Sequence, residues 1–228
     1  MNLTEKLKNY IDTINISEYG FADISGIKTG ELLENEPSAK NLHTGISIVI
    51  KLSPAVLEGI SDKPTHSYFH HYRTVNAHID ASLLKIGMFL DSHGYRYYPI
   101  PASQSINGFQ GVFQHKTVAR LAGLGYIGKN AMFISDKLGI GIRLGTLLTD
   151  APLDTCNEIS GGSCGSCNIC TSVCPAMAIY GENFNPQKPD AALIDRKVCS
   201  DYMKDKFQNI GRGVVCGICM RNCPKFKI

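Results

Sequence analysis

The chain has no cysteine in its first 150 residues, no apolar run long enough to span a bilayer, and no acidic residue between Asp91 and Asp136. Lacking a spanning run, 228 residues with 43% hydrophobic content have enough material for one good core plus a small appendage. The N-terminal stretch 1–16 sets Leu3, Leu7, Ile11 and Ile14 at helical spacing. Glu5, Lys6, Lys8 and Asp12 interrupt it, unlike the apolar centre of an export signal. We read a cytoplasmic protein with no membrane partner. A net charge of +3 is too small to imply a nucleic-acid partner, and no repeat of solenoid period is present.

What the first part lacks, the last third concentrates. Eight of the nine cysteines follow residue 163 in tight repeats. An odd total without an export signal argues for metal in a reducing, anaerobic or microaerobic setting rather than disulfides. Positive charge gathers there too: residues 196–228 hold eight Lys and Arg against Asp201 and Asp205, a local net of +6. Such cations compensate an anionic metal cluster and tune its potential, a reading placed ahead of RNA binding.

The spacing predicts an α+β organisation, with an α/β domain over 1–152 and a metal module over 153–228. Residues 45–51 carry Ile46, Ile48 and Ile50 on one face, as a strand does. Val75, Ile79, Leu83, Ile86 and Leu90 recur at helical spacing, and Gly94 closes that helix. A strand over 95–100 should follow and leave the sheet at Pro99 and Pro101, which have no N–H to give. Next come a polar loop, a short helix over 117–122, and strands over 131–135 and 142–149 joined over Gly139 and Gly141.

Cys164, Cys167, Cys170 and Cys174-Pro175 match the bacterial two-cluster ferredoxin run, in which three thiolates hold one cube and the fourth ligates the other. Cys216, Cys219 and Cys223-Pro224 form a second run without its first cysteine, and Cys199 fills the vacancy. The expected ligands are Cys164, Cys167, Cys170 and Cys223 for one 4Fe-4S cluster, and Cys174, Cys199, Cys216 and Cys219 for the other. A zinc ribbon is the competing account, though it has no need of a Cys-Pro ending each run. Cys156 lies outside both runs and reads as a spare buried thiol.

Taken with residues 119–130 (ARLAGLGYIGKN) and 144–150 (LGTLLTD), these motifs resemble epoxyqueuosine reductase and, more distantly, the reductive dehalogenases. The resemblance implies a nitroreductase-like N-terminal fold, base-off cobalamin, and clusters that reduce its cobalt. Two features depart from it. The family's proton-donor aspartate would stand just after residue 101, inside the acid-free stretch, and the family's helical repeats, which help hold tRNA, do not follow Cys223.

Gly125, Tyr126, Ile127, Gly128, Lys129 and Asn130 become candidate corrinoid contacts through the likeness, whereas the residues alone suggest a helix C-cap and a tight turn. Ser103 and Gln104, with Ser105 and Asn107, stand where the aspartate loop would be and can bind a polar ligand or simply form a surface loop. His66, Tyr68, His70, His71, Tyr72, Arg73 and His78 crowd the start of the long helix. A solvated helix start is the plain account. The resemblance places a Tyr-His pair near the active site, which makes Tyr72 and His71, and then His115, candidate proton sources.

The reading is an iron–sulfur oxidoreductase that takes electrons from a flavodoxin or ferredoxin, passes them through two 4Fe-4S clusters to cobalamin, and acts on a small molecule. An electron carrier or corrinoid-protein-reducing partner is the first alternative, and an epoxyqueuosine reductase acting on tRNA the second.

Overall fold

The computed structural model describes residues 1–27, 36–103, 108–109, 111–156, 158–188, 190–211 and 215–227. Gln104, Ser105, Asn107 and Arg212 lie outside the described residues. Two compact units form, each from interleaved segments: Met1–Ile50, Val75–Leu124 and Arg143–Ser160 make one, and Lys51–Thr74, Gly125–Ile142 and Gly161–Ile228 the other. A division at 152/153 follows cysteine content, whereas the compact units cut across it.

The first unit is a mixed α/β assembly. Helix α1 (Leu3–Asp12) starts at a reciprocal cap. The Asn2 side chain accepts from the Glu5 N–H at 2.8 Å, and the Glu5 carboxylate takes the Asn2 N–H at 3.1 Å. Leu7 and Ile11 are its buried apolar face. Strands β1 (Glu18–Asp23), β2 (Thr44–Lys51), β3 (Tyr97–Ile100) and β6 (Ile142–Thr149) form a sheet in the order β1-β2-β6-β3. As an inner strand β2 is buried on both faces, including Ser47 and Val49, so its isoleucine alternation marks only one of them.

The long helix α3 (His66–Asp91) carries the expected column, with Ile79, Leu83, Ile86 and Leu90 fully buried and Val75 nearly so. Fully burying such a side chain contributes about 1.5–3 kcal/mol. Gly94 ends the turn at φ +85°, where a side chain would be strained, and the Tyr95 N–H reaches back to the Leu90 carbonyl at 3.1 Å. Strand β3 begins two residues later than expected and lies at the sheet edge. Pro99 there faces Leu147, and an edge position tolerates its missing donor. Helix α4 (His115–Leu121) also starts two residues before the expected 117 and packs on β1.

One expectation fails in its pairing. The strands over 131–135 and 142–149 are not partners. Residues 133–135 form β5 (Phe133–Ser135), which pairs with β4 (Gly125–Ile127) in a separate two-stranded sheet, while β6 joins the larger sheet. Strand β4 escapes sequence reading because three residues flanked by glycines show no period.

The second unit contains that hairpin, α2 (Pro54–Glu58), and a cysteine segment with little regular structure. Its helices are α5 (Ile169–Ser172), α6 (Arg196–Phe207) and α7 (Ile218–Arg221). Each carries a ligand candidate: Cys170, Cys199 and Cys219 respectively. Asp195 caps α6 by accepting from the Val198 N–H at 2.9 Å, and α5 packs on α7, one helix from each cysteine run. No helix among the described residues is long and apolar enough to cross a membrane.

Candidate iron–sulfur centre

The thiols that act on Cys170, Cys199, Cys216, Cys219 and Cys223 fall into two sets. Burial raises Cys223, and Cys164, Cys170 and Cys167 raise it further. Cys170 is likewise raised by burial and then by Cys164 and Cys167. In the other set, burial pushes Cys199 up to about 11, with Cys174 and Cys216 adding to it. Burial pushes Cys219 up to about 12, with Cys216, Cys199 and Cys174 ahead of the more remote Cys170. The sets are Cys164, Cys167, Cys170 and Cys223, and Cys174, Cys199, Cys216 and Cys219.

Thiols held this close without a cation favour their protonated form, and iron must displace those protons. No three His, Cys, Asp or Glu side chains among the described residues converge on a single-ion site. Four thiolates on one zinc sit about 2.3 Å from the metal, whereas a cube spreads its four ligands over four separate corner irons. The donors present therefore fit two 4Fe-4S cubes, and the left-handed Gly217 at φ +80° turns the chain into α7 between Cys216 and Cys219.

The glycine-rich stretch lies beside the first set. Gly125 faces the Ile134 carbonyl across the hairpin so closely that a Cβ would collide with it, and its φ of +154° also favours glycine. A Cβ on Gly128 would stand 3.5 Å from Cys164 Sγ. Burial raises the Tyr126 hydroxyl, and Cys164, Cys223 and Cys167 raise it further. Lys129 is 4% exposed and donates to Asn168 Oδ1 at 2.8 Å, while Asn130 is 5% exposed and its Oδ1 accepts from the Met132 N–H at 3.2 Å. Ile127 is buried in β4. The Lys129 ammonium is thus turned to the cysteine loop, and the Asn130 side-chain oxygen is used inside the hairpin.

The candidate proton sources are scattered over different local tasks. His71 Nε2 accepts from the Ser53 N–H at 3.0 Å, which leaves its proton on Nδ1, and burial lowers its pKa. His66 Nδ1 donates to the Ile210 carbonyl at 3.0 Å. Tyr72 stands edge-on to Tyr68, with ring centroids 6.3 Å apart. His115 Nε2 donates to the Pro101 carbonyl at 3.1 Å, and its Nδ1 is a buried atom without a partner. Burial lowers this ring to about 4, with Arg143 adding to the effect. At neutral pH His115 is uncharged.

Scanning the sequence between residues 91 and 136 missed one carboxylate. Asp80, on α3, accepts the Ala102 N–H at 2.9 Å, so an acid does reach the segment after β3 from another element. Arg143 holds the Ala102 carbonyl at 3.2 Å and the Asn76 side chain at 3.0 Å. Helical spacing in α3 could have flagged Asp80 only if the α3–β3 packing were already known. Ser103 beside it is exposed. Cys156 is exposed rather than buried, and its thiol donates to the Glu158 carbonyl at 3.2 Å.

Residues 163–225 match the family described as 4Fe-4S double cluster binding domain. Among curated proteins, the epoxyqueuosine reductase of Staphylococcus aureus is 36% identical over 118 residues, 50% of this chain and 30% of its own length. That of Listeria monocytogenes is 33% identical over 110 residues, 47% and 28% of the two. These alignments span less than a third of the relatives' length. Among solved structures, epoxyqueuosine reductase from Bacillus subtilis superposes with a TM-score of 0.67 at 19% identity, covering 99% of this chain and 65% of that one. A catabolic reductive dehalogenase gives 0.73 at 16%, covering 98% and 32%. Residues 163–225 thus carry a 4Fe-4S double cluster binding domain, in a chain similar to epoxyqueuosine reductases in sequence over half its length and to reductive dehalogenases in fold.

Proposed function

We propose that this chain is an iron–sulfur reductase that relays low-potential electrons through two 4Fe-4S clusters, one on Cys164, Cys167, Cys170 and Cys223 and the other on Cys174, Cys199, Cys216 and Cys219. The observation that carries the reading is that Cys170 and Cys223 lie in the field of Cys164 and Cys167, whereas Cys199, Cys216 and Cys219 lie in the field of Cys174. The crossing of Cys174 and Cys223 between the two runs ties each cube to both halves of the segment. Anaerobic reconstitution should bring iron and sulfide to about eight each per chain, with reduction by a flavodoxin or ferredoxin followed in the visible spectrum. A content near four sinks the two-cluster reading.

The proposed electron acceptor is a corrinoid. It is supported by the fold shared with a reductive dehalogenase whose title refers to B12-dependent dehalogenation. A bound corrinoid would supply a strongly reducing cobalt centre. Lys129 and Asn130 do not fit the part of corrinoid donors, since both are buried, with Lys129 turned to Asn168, and no step is assigned through that group. The same observation favours a second reading, a carrier that hands its electrons to another protein. Gel filtration after anaerobic loading with cobalamin separates the two, because only the first retains a base-off corrinoid band with the protein.

Reduction of a bound substrate needs protons as well as electrons. His71 and His115 are neutral at their stated hydrogen bonds, and beside Tyr72 the further candidate to relay a proton is the Asp80 carboxylate at Ala102. A positioned acid typically contributes about 10² to 10⁴ in rate. Asp80→Asn should lower a proton-consuming turnover by that order and leave cluster reduction unchanged. Epoxyqueuosine in tRNA stays the second alternative as substrate, with Asp80 in place of a carboxylate of the segment after β3 itself.

A further inference from the structure

We propose that the Lys129 ammonium is the buried counter-cation of the cluster on Cys164, Cys167, Cys170 and Cys223, and that it sets that cluster's potential apart from its neighbour's. The inference rests on the two-cluster reading above.

Lys129 is the only charged side chain in the buried set of the described residues. Its Nζ donates to Asn168 Oδ1, and Asn168 lies between Cys167 and Cys170 on the loop that would wrap the first cube. No ion pair to a carboxylate is formed by Lys129 among the described residues. An amide oxygen gives an ammonium a hydrogen bond but no opposite charge, and a buried ion with only a dipole for company is strongly disfavoured. Another anion has to stand nearby.

The first set of thiolates is positioned to be that anion. Gly128, one residue before Lys129, brings the hairpin backbone against Cys164 Sγ, with a Cβ at that position only 3.5 Å from the sulfur. Asn168 fixes the other side of the contact. Four thiolates around an oxidised cube leave a net charge of about −2, and reduction makes it about −3. The ammonium balances part of this charge, and the charge in turn accounts for a lysine that is buried without a carboxylate. Because reduction adds a negative charge, a fixed cation stabilises the reduced form and raises the potential. Among the described residues no second charged side chain is buried as a whole.

Lys129 acts through the cluster's surroundings and is a positioning residue. The test uses the full chain, anaerobically reconstituted, with iron content measured before an EPR-monitored redox titration of wild type, Lys129→Met and Lys129→Arg. At full iron content, Lys129→Met should lower one cluster's midpoint by about a factor of ten in the one-electron equilibrium, about 59 mV, and leave the other unmoved. Lys129→Arg should stay near wild type. Unmoved midpoints in Lys129→Met overturn the proposal, and so does an equal shift of both clusters.

If Lys129→Met takes up too little iron to titrate, Lys129→Gln, which keeps a donor for Asn168 without the charge, replaces it. Failure of both neutral variants with recovery by Lys129→Arg supports a charge requirement. Failure of all three overturns it, since packing rather than charge would then be at stake. Wild-type protein that takes up no iron refutes the cluster reading itself, whereas wild type with about eight irons and an unmoved potential refutes this inference alone.

Discussion

The two compact units solve the same problem with different means. The unit with the four-stranded sheet is held by side chains that leave water entirely, among them Leu7, Ile46, Ile48, Ile79, Leu83 and Ile86. The cysteine segment of the other unit has helices of four, twelve and four residues and places only a handful of apolar side chains, such as Ile179, Leu193 and Ile218, out of water. Helices that short do not hold themselves together. On the proposed ligation, a cube bonded to four sulfurs from both runs would supply there what the isoleucine and leucine column supplies in the sheet unit, so cofactor binding and folding would be one event in the second case and separate in the first.

Removing iron should break the comparison most severely. After anaerobic chelation, amide exchange protection is expected to vanish across residues 163–227 while β2, β6 and the 75–91 part of α3 keep theirs. Uniform loss in both regions would mean that the sheet unit also depends on the metal. A gentler cut is Cys199→Ala, which should take iron from about eight to about four per chain and leave the remaining cluster reducible. Retention of both clusters would refute the ligand set. From the other side, Leu83→Ala should cost about 2–5 kcal/mol in urea unfolding, the usual range for a fully buried leucine, with iron content unchanged.

Acidity offers a smaller lever on the sheet unit. His115 is depressed to about 4 from an ordinary 6.5. The unfolded chain thus binds the extra proton first as pH falls. Its contribution to stability is complete above about 6.5 and drains away between there and about 4. Urea midpoints measured at several pH values should show this loss in wild type, and His115→Gln should flatten it. The smallest effect is expected for Cys156→Ser. An exposed thiol outside both runs should change neither iron content nor spectrum, and any loss of iron would require a different eight ligands.

What could be read in advance was whatever is local in the chain. The α3 column, the Gly94 stop and β2 follow from spacing and from backbone chemistry at single residues, whereas Pro99, where the chain was expected to leave the sheet, stays paired with Leu147 on its edge strand. The cysteine runs announce their cofactor because cube geometry dictates their intervals. Pairing is another matter: β5 turned out to join β4, and β6 to join β2 and β3, because partners distant in sequence are chosen by packing that no local window contains. Asp80 was invisible for the same reason, since its contact with Ala102 spans 22 residues. The bond from Lys129 to Asn168, 39 residues on, was out of reach of the glycine-rich string for the same reason.

The collision awaiting any side chain at Gly125 has a consequence for how such sequences are compared. Glycine at that position is demanded by the carbonyl of Ile134 on the facing strand, whatever the protein binds. Across descendants of a common ancestor it should persist in lineages that have abandoned the corrinoid as firmly as in those that keep it. The pair formed by Lys129 and Asn168 should instead drift together, so coordinated replacement at 129 and 168 would be a better genealogical marker of altered redox chemistry than the glycines are.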